Sequence, residues 1–119
     1  MISPQTRLTA HYLDYLAQQQ RLTASNLANL DTPGYRTREL DFGAALRSAM
    51  EDSSGRAQSE PQVVGVEGLE VKTDGNDVSL DRELRNLSET AVRFSHALLL
   101  LRKGVSSVRS AIHEGRGGA

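Results

Sequence analysis

The run Leu80-Asp-Arg-Glu-Leu84-Arg-Asn-Leu87-Ser-Glu-Thr-Ala91-Val-Arg-Phe94-Ser-His-Ala-Leu98-Leu-Leu-Leu101-Arg-Lys-Gly-Val105-Ser-Ser-Val108-Arg-Ser-Ala-Ile112 decides the fold. Stepping alternately four and three residues from Leu80 reaches Leu84, Leu87, Ala91, Phe94, Leu98, Leu101, Val105, Val108 and Ile112, all of them apolar. Only 38% of the chain is hydrophobic, so this series is a genuine seven-residue repeat. Such a repeat keeps one seam of a helix facing a partner helix. Asp77, Asp81 and Glu83 put negative charge where the helix dipole favours it, and Arg109 and His113 lie near the other end. The helix would be about 50 Å long. No chain of 119 residues covers such a rod on every side, so it needs company. Gly104 costs about 1 kcal/mol relative to Ala inside a helix and reads as close approach of a packed backbone. Gly115 to Ala119 read as a frayed end.

Working back to the N-terminus, a second helix is expected. Ser3 can accept a hydrogen bond from an orphan backbone N–H, and Pro4 suits the first helical position. Leu8 to Leu30 contains neither Gly nor Pro. Leu13, Leu16, Leu27 and Leu30 form one stripe, interrupted by Gln20 and Thr23, and Tyr12, Tyr15 and Leu22 form an adjacent one. Ala17, Ala24 and Ala28 supply small flanking surfaces. A helix apolar on more than one face touches more than one neighbour. Asp31-Thr32-Pro33-Gly34-Tyr35 stops it, because Pro33 lacks a donor and pushes Thr32 towards an extended conformation.

Between the helices the pattern weakens. Asp41 can cap a short helix with Phe42, Ala45, Leu46, Ala49 and Met50 on one face. Asp52 to Glu60 is linker-like, and Gln62-Val63-Val64 with Leu69-Glu70-Val71-Lys72 suggests a hairpin, followed by the turn signal Thr73-Asp74-Gly75-Asn76. The expected architecture is mainly α. Long N- and C-terminal helices pair as a coiled-coil bundle around a short irregular middle segment that holds a small β-hairpin. Its parts are an N-terminal helix (1–31), a turn, short helix and irregular or β segment (32–76), and a C-terminal coiled-coil helix with its tail (77–119).

Composition narrows the chemistry. The chain has no Cys and no Trp, which excludes disulfides, thiolate catalysis and Cys-based zinc sites. Residues 41–76 carry a net −4 and residues 77–119 a net +2, and neither end is basic enough for nucleic acid. No run of about 18 apolar residues exists to span a membrane, and no basic start followed by an apolar run marks a cleaved signal peptide. His11, His96 and His113 lack ligand spacing, and the pairs Asp81/Glu83 and Glu67/Glu70 are explained by helix polarity and solvation. The sequon Asn86-Leu87-Ser88 falls mid-helix on the seam and is discounted. No catalytic, cofactor-binding or metal-binding constellation emerges, so an enzyme is not expected. The candidate site is an assembly interface made of Leu13, Leu16, Leu27, Leu80, Leu84, Leu87, Ala91, Phe94, Leu98, Leu101, Val105, Val108 and Ile112.

Ala24-Ser25-Asn26-Leu27-Ala28-Asn29-Leu30-Asp31-Thr32-Pro33-Gly34-Tyr35 resembles the N-terminal signature of the bacterial flagellar rod and hook axial protein family. Arg36 to Phe42, the short middle and Pro33 look most like its proximal-rod branch, ahead of a paralogous rod protein such as FlgC. The C-terminal Asn76 to Leu84 and Val108 to Ile112 agree. Leu30 departs from the family pattern, which often has a small residue there. The resemblance implies a structural subunit of the basal-body rod, exported by the flagellar type III system without a cleaved signal peptide and assembled in the periplasm. It implies terminal helices lining an axial tube that transmits torque and surrounds the export channel. The partners it implies are further copies, the rod proteins FlgC, FlgF and FlgG, the adaptor FliE and the export gate (FliP, FliR). Asn26 and Asn29 would act as polar contacts near the helix end, or simply terminate it, and Pro33-Gly34-Tyr35 would redirect the chain. A soluble coiled-coil adaptor or export chaperone binding a partner helix is the alternative. A generic coiled coil, however, needs neither the Asn-Leu-Ala-Asn nor the Thr-Pro-Gly-Tyr motif.

Overall fold

The computed structural model describes residues 3–51 and 61–117, with side chains as far as Gly115; the linker-like stretch Asp52 to Glu60 lies outside the described residues. In chain order the elements are α1 (Pro4–Ala28), β1 (Arg38–Leu40), α2 (Phe42–Glu51), β2 (Val63–Gly65) and α3 (Leu80–Gly117). The fold is mainly helical, with long terminal helices and a small antiparallel two-stranded sheet between them. Its extents are 73 × 26 × 17 Å, a rod built on the 38 residues of α3.

Local chemistry sets the helix limits. Ser3 caps α1 by accepting from the Thr6 N–H, and Pro4 takes the first turn. The helix ends at Ala28, two residues before Leu30, with Asn29 as its C-cap. Asp41 caps α2 through the Ala44 N–H at 3.2 Å. Phe42, Ala45 and Leu46 pack as expected, but Met50 is 69% exposed, because it lies at the edge of that face in the last turn. Helix α3 runs through Gly115 to Gly117, where the glycines had suggested a frayed end. A single helical Gly costs only about 1 kcal/mol, too little to stop a long helix.

The expected hairpin does not form. Strand β2 pairs antiparallel with β1 instead, with Arg38 opposite Gly65 and Leu40 opposite Val63. Leu69 to Lys72 makes no strand; Gly68 takes φ +79° just before it. The turn after it does close on itself, with the Gly75 N–H donating to the Lys72 carbonyl at 2.9 Å and the Asn76 N–H to Asp74 Oδ1 at 3.0 Å.

Two small cores share Phe42. In one, Leu13 and Leu16 of α1 meet Ala97 of α3, flanked by Leu98 and Leu101. In the other, Tyr15 meets Leu40 and Ala45, flanked by Leu22 and Leu46. The two stripes of α1 thus serve two neighbours, α3 on one side and the β1–α2 segment on the other. Helix α1 runs antiparallel to α3, with Thr6 against Gly104 at one end and Asn26 against Glu83 at the other.

At Gly104 the two helices approach closely. A Cβ there would meet Thr6, standing 3.1 Å from its Cγ2 and 3.3 Å from its Cβ. No rotamer of Thr6 moves its own Cβ away. Gly104→Ala should therefore destabilise the chain by about 1–2 kcal/mol despite the better helix propensity of Ala. Adding Thr6→Ala should recover part of the loss in a double-mutant cycle followed by urea unfolding. A more stable Gly104→Ala protein would contradict the close approach.

Candidate assembly interface

At the end where α1 stops and α3 starts, polar side chains replace the aliphatic core. Asn26 is fully buried with four bonds made. Its Nδ2 donates to the Arg38 carbonyl at 2.8 Å and to Glu83 Oε2 at 3.2 Å. Its Oδ1 accepts from the Tyr35 hydroxyl at 3.0 Å and the Arg38 N–H at 3.2 Å. One amide thereby joins α1, the turn after it, β1 and α3. Glu83, also fully buried, takes Arg82 Nη1 at 2.7 Å on its other oxygen, and Arg82 Nη2 reaches Glu39 at 2.7 Å. A buried carboxylate so held is costly to expose to a lost partner.

A second knot lies beside it. Fully buried Asn76 donates to the carbonyls of Asn29 and Thr32, both at 2.8 Å, and accepts from the Val78 N–H. It closes the last turn of α1 onto the entry to α3. Asp77 accepts from the Thr37 N–H at 2.6 Å and the Thr37 hydroxyl at 2.8 Å, with Arg36 at 3.6 Å. Burial alone would raise its carboxyl, but the two Thr37 bonds and the Arg36 charge outweigh that and hold it below the usual carboxylate range. Gly34 and Gly75 stand back to back, at φ +75° and +86°, and the Gly34 N–H donates to the Asp74 carbonyl at 2.9 Å. A Cβ on Gly75 would press on the Gly34 Cα at 3.4 Å. Gln19 ties in the strand by accepting from the Leu40 N–H at 2.8 Å and donating to buried Thr23.

The motif residues separate by role. Asn26 and Tyr35 enter the network, and Asn29 caps the helix by donating to the Ser25 carbonyl at 2.8 Å. Leu27 is half-buried; Ala28, Asp31, Thr32, Pro33 and Gly34 remain exposed and shape the turn. Sequence reading missed Gln19, Thr23, Thr37, Asn76, Asp77, Glu83 and Thr90 as buried polar groups, and it treated Asp77 and Glu83 as dipole charges.

The α3 seam is divided. Its face towards α1 is centred on Glu83, Thr90, Ala97 and Gly104, spaced seven apart, with half-buried Leu87, Leu101 and Val108 alongside. Small side chains there let α1 approach closely. Leu13 and Leu16 are buried and Leu98 is half-buried, whereas Leu80, Leu84, Ala91, Phe94, Val105 and Ile112 stay exposed, Phe94 at 37% and Ile112 at 53%. The α1–α3 pairing therefore uses these six only in part. They form an open apolar edge that leads into a groove of about 600 Å³ between the helices, lined by Leu16, Ala17, Ala24, Ala91 and Phe94. Gln20 Oε1 is buried in its wall with no hydrogen-bond partner among the described residues. Val92 and Leu99 are exposed on a further face of α3. Among the described residues no cluster of metal-ligating side chains occurs, and no helix is long and apolar enough to cross a membrane.

Asn26→Ala would leave the Arg38 amide and carbonyl and one Glu83 oxygen without this partner, and the Tyr35 hydroxyl with Ser25 Oγ alone at 3.3 Å. It should cost about 3 kcal/mol in urea unfolding, against about 1 kcal/mol for Asn29→Ala; equal losses would deny the network its central role. Asp77 gives a pH signature. Its folded pKa lies below the unfolded value near 3.9, so its stabilisation is present above about pH 4 and is lost as pH falls through the folded value. Urea midpoints measured from neutral to acid pH should fall less steeply in Asp77→Asn than in wild type.

Comparison with known proteins agrees with this layout. A family profile described as Flagella basal body rod protein matches residues 13–36, the second half of α1 and the turn that follows it. The flagellar basal body rod protein FlgB of Cereibacter sphaeroides is 30% identical, over 79% of this chain and 82% of its own length. FlgB of Yersinia enterocolitica is 28% identical and FlgB of Salmonella typhimurium 27%, each over 92% of this chain and 93% of the relative. With the motif residues placed at the joint between two long antiparallel helices, and relatives matching nearly end to end, the chain belongs to the flagellar basal body rod protein FlgB family.

Proposed function

We propose that this chain is a structural subunit of the flagellar basal-body rod which assembles through the open edge of its helix pair. The observation that carries the reading is that edge: Leu80, Leu84, Ala91, Phe94, Val105 and Ile112 belong to an unbroken heptad series yet stay exposed beside α1. Covering a Leu or Val side chain contributes about 1.5–3 kcal/mol, and a third helix laid in the groove beside Ala17 and Ala24 would cover several at once. A contact of this kind is heterologous, because edge and back of α3 differ, and repetition without closure winds copies into a tube. The polar knot keeps the two helices in register, so the pair can carry torque as one strut.

Partners on this reading are further copies, the neighbouring rod proteins FlgC, FlgF and FlgG, the adaptor FliE and the export gate formed by FliP and FliR. The setting is the periplasmic part of the basal body, reached through the flagellar type III apparatus without a cleaved signal. The role is mechanical and not enzymatic. The three segments 1–31, 32–76 and 77–119 act as inner helix, spacer and inner helix. The family match and the motif at the helix joint disfavour a soluble adaptor or chaperone.

Leu84→Asp and Ile112→Asp test the edge with little effect on the fold, since about half of each residue is exposed in the single chain. Each should leave expression and the urea midpoint within about 0.5 kcal/mol of wild type while abolishing swimming and rod formation in a deletion strain. Normal swimming with complete basal bodies in both would sink the reading.

A further inference from the structure

The groove of about 600 Å³ between α1 and α3 has small side chains on both walls, Ala17 and Ala24 on one and Ala91 and Ser95 on the other. It follows α1 for about 12 Å. Two consecutive polar residues interrupt the α1 wall. Gln20 Oε1 is buried there with no hydrogen-bond partner among the described residues. Arg21 is exposed on the rim, and no ion pair among the described residues engages it. No other residue lining the groove is charged. Asp14, two turns back on the same side of α1, accepts from Gln18 at 3.1 Å. It stands about 10 Å from Arg21 along the axis, about a Debye length at physiological salt. The groove itself is therefore positive.

A buried carbonyl without a partner costs stability that a leucine in its place would not. An arginine closed under a purely apolar helix would lose its water and gain nothing. One occupant chemistry removes both costs. We infer that the groove takes a helix with a carboxylate in the middle of its apolar face, held by the Arg21 guanidinium and the Gln20 amide. The guanidinium offers a fork of donors and the amide nitrogen adds another. To reach the carboxylate the amide swings off the wall, which takes Oε1 out of its unpartnered place. The small side chains on both walls let such a helix sit deep, where a charge-assisted bond is least diluted by water. The inference rests on the assembly reading above and names what enters the groove. The side of α3 turned away from the edge carries Arg85, Arg93 and Lys103 around Glu89, all exposed. A further copy entering by that side would set like charges against Arg21, so the fit is to a helix of a different rod subunit.

The test uses the full-length chain and, as probe, a stapled helix with leucines and alanines on one face and a central glutamate. Two further probes carry glutamine or lysine at that central place. Methyl signals of Ala17, Ala24 and Ala91 report occupancy of the groove. The glutamate helix should shift them and bind at least about tenfold tighter than the glutamine helix, with the lysine helix weaker again. Arg21→Glu should reverse that order, and helicity should be kept because Arg21 is exposed. Gln20→Leu should keep or raise the urea midpoint and cut the glutamate preference at least about threefold. Probes that bind alike, methyls that do not shift, or a lowered midpoint in Gln20→Leu would each overturn the inference. So would concentration-dependent shifts of the same methyls without any probe, which would give the groove to a second copy. In cells, normal rods built by Leu84→Asp and Ile112→Asp would remove the proposed function itself. Failure of those two beside normal rods from Arg21→Glu would leave the function standing and sink only the carboxylate contact.

Discussion

Everything else in the molecule is aligned by one side-chain amide. Asn26 has two donors and two acceptor sites, and all four are used, by β1 backbone, the turn tyrosine and a buried carboxylate on α3. No apolar residue can do this, because a leucine in its place would pack but would not choose a register. Antiparallel helices with heptad seams can slide by seven residues at modest cost in apolar contact. They cannot slide here without separating Asn26 from Glu83 and Thr6 from Gly104 together. Polar specificity at one end and steric specificity at the other fix the same offset.

The buried carboxylate of Glu83 shows how the knot tolerates charge. It is shielded by Asn26 on one oxygen and by Arg82 on the other, and Arg82 is shared with Glu39. A guanidinium can serve two carboxylates because its donors diverge in one plane. The net effect is to tie β1 to the first turn of α3 through side chains, since the two-stranded sheet alone is too small to be stable in water. The middle segment is thus clamped from both flanks, by Arg82 with Asp77 on one side and by Gln19 on the other.

The helices were legible in the sequence because period and capping residues act locally: Ser3 and Pro4, Asp41, and the Pro33-Gly34 stop all do what their chemistry dictates. The face that α1 takes on α3 was not legible. Counting apolar residues favours Leu80 to Ile112, whereas α1 approaches along the adjacent column Glu83, Thr90, Ala97 and Gly104. That column also repeats every seven, and a search for small residues at heptad spacing would have found it. The strand partner was missed for a different reason. Val63 pairs with Leu40 across the whole of α2, and turn signals nearby in sequence say nothing about such long-range pairing. The polar network was misread because Asn76, Asp77 and Glu83 look like ordinary helix-start residues until the turn at Pro33 brings Asn29, Thr32 and Thr37 against them.

The two misreadings on α3 have a common physical root, which bears on how the chain works. A leucine seam is an advertisement for a neighbour but does not say whose helix it is. Here the intramolecular partner takes the column where close approach and hydrogen bonds discriminate, and the bulkier, less selective column is left facing out. That division suits a subunit that must first hold a defined shape and then be covered by others. The selective contacts set the geometry of the strut, and in the proposed assembly the unselective ones are what a neighbour would bury. An inversion, with leucines inside and Thr90, Ala97 and Gly104 outside, would give a tighter monomer and a weaker surface for assembly.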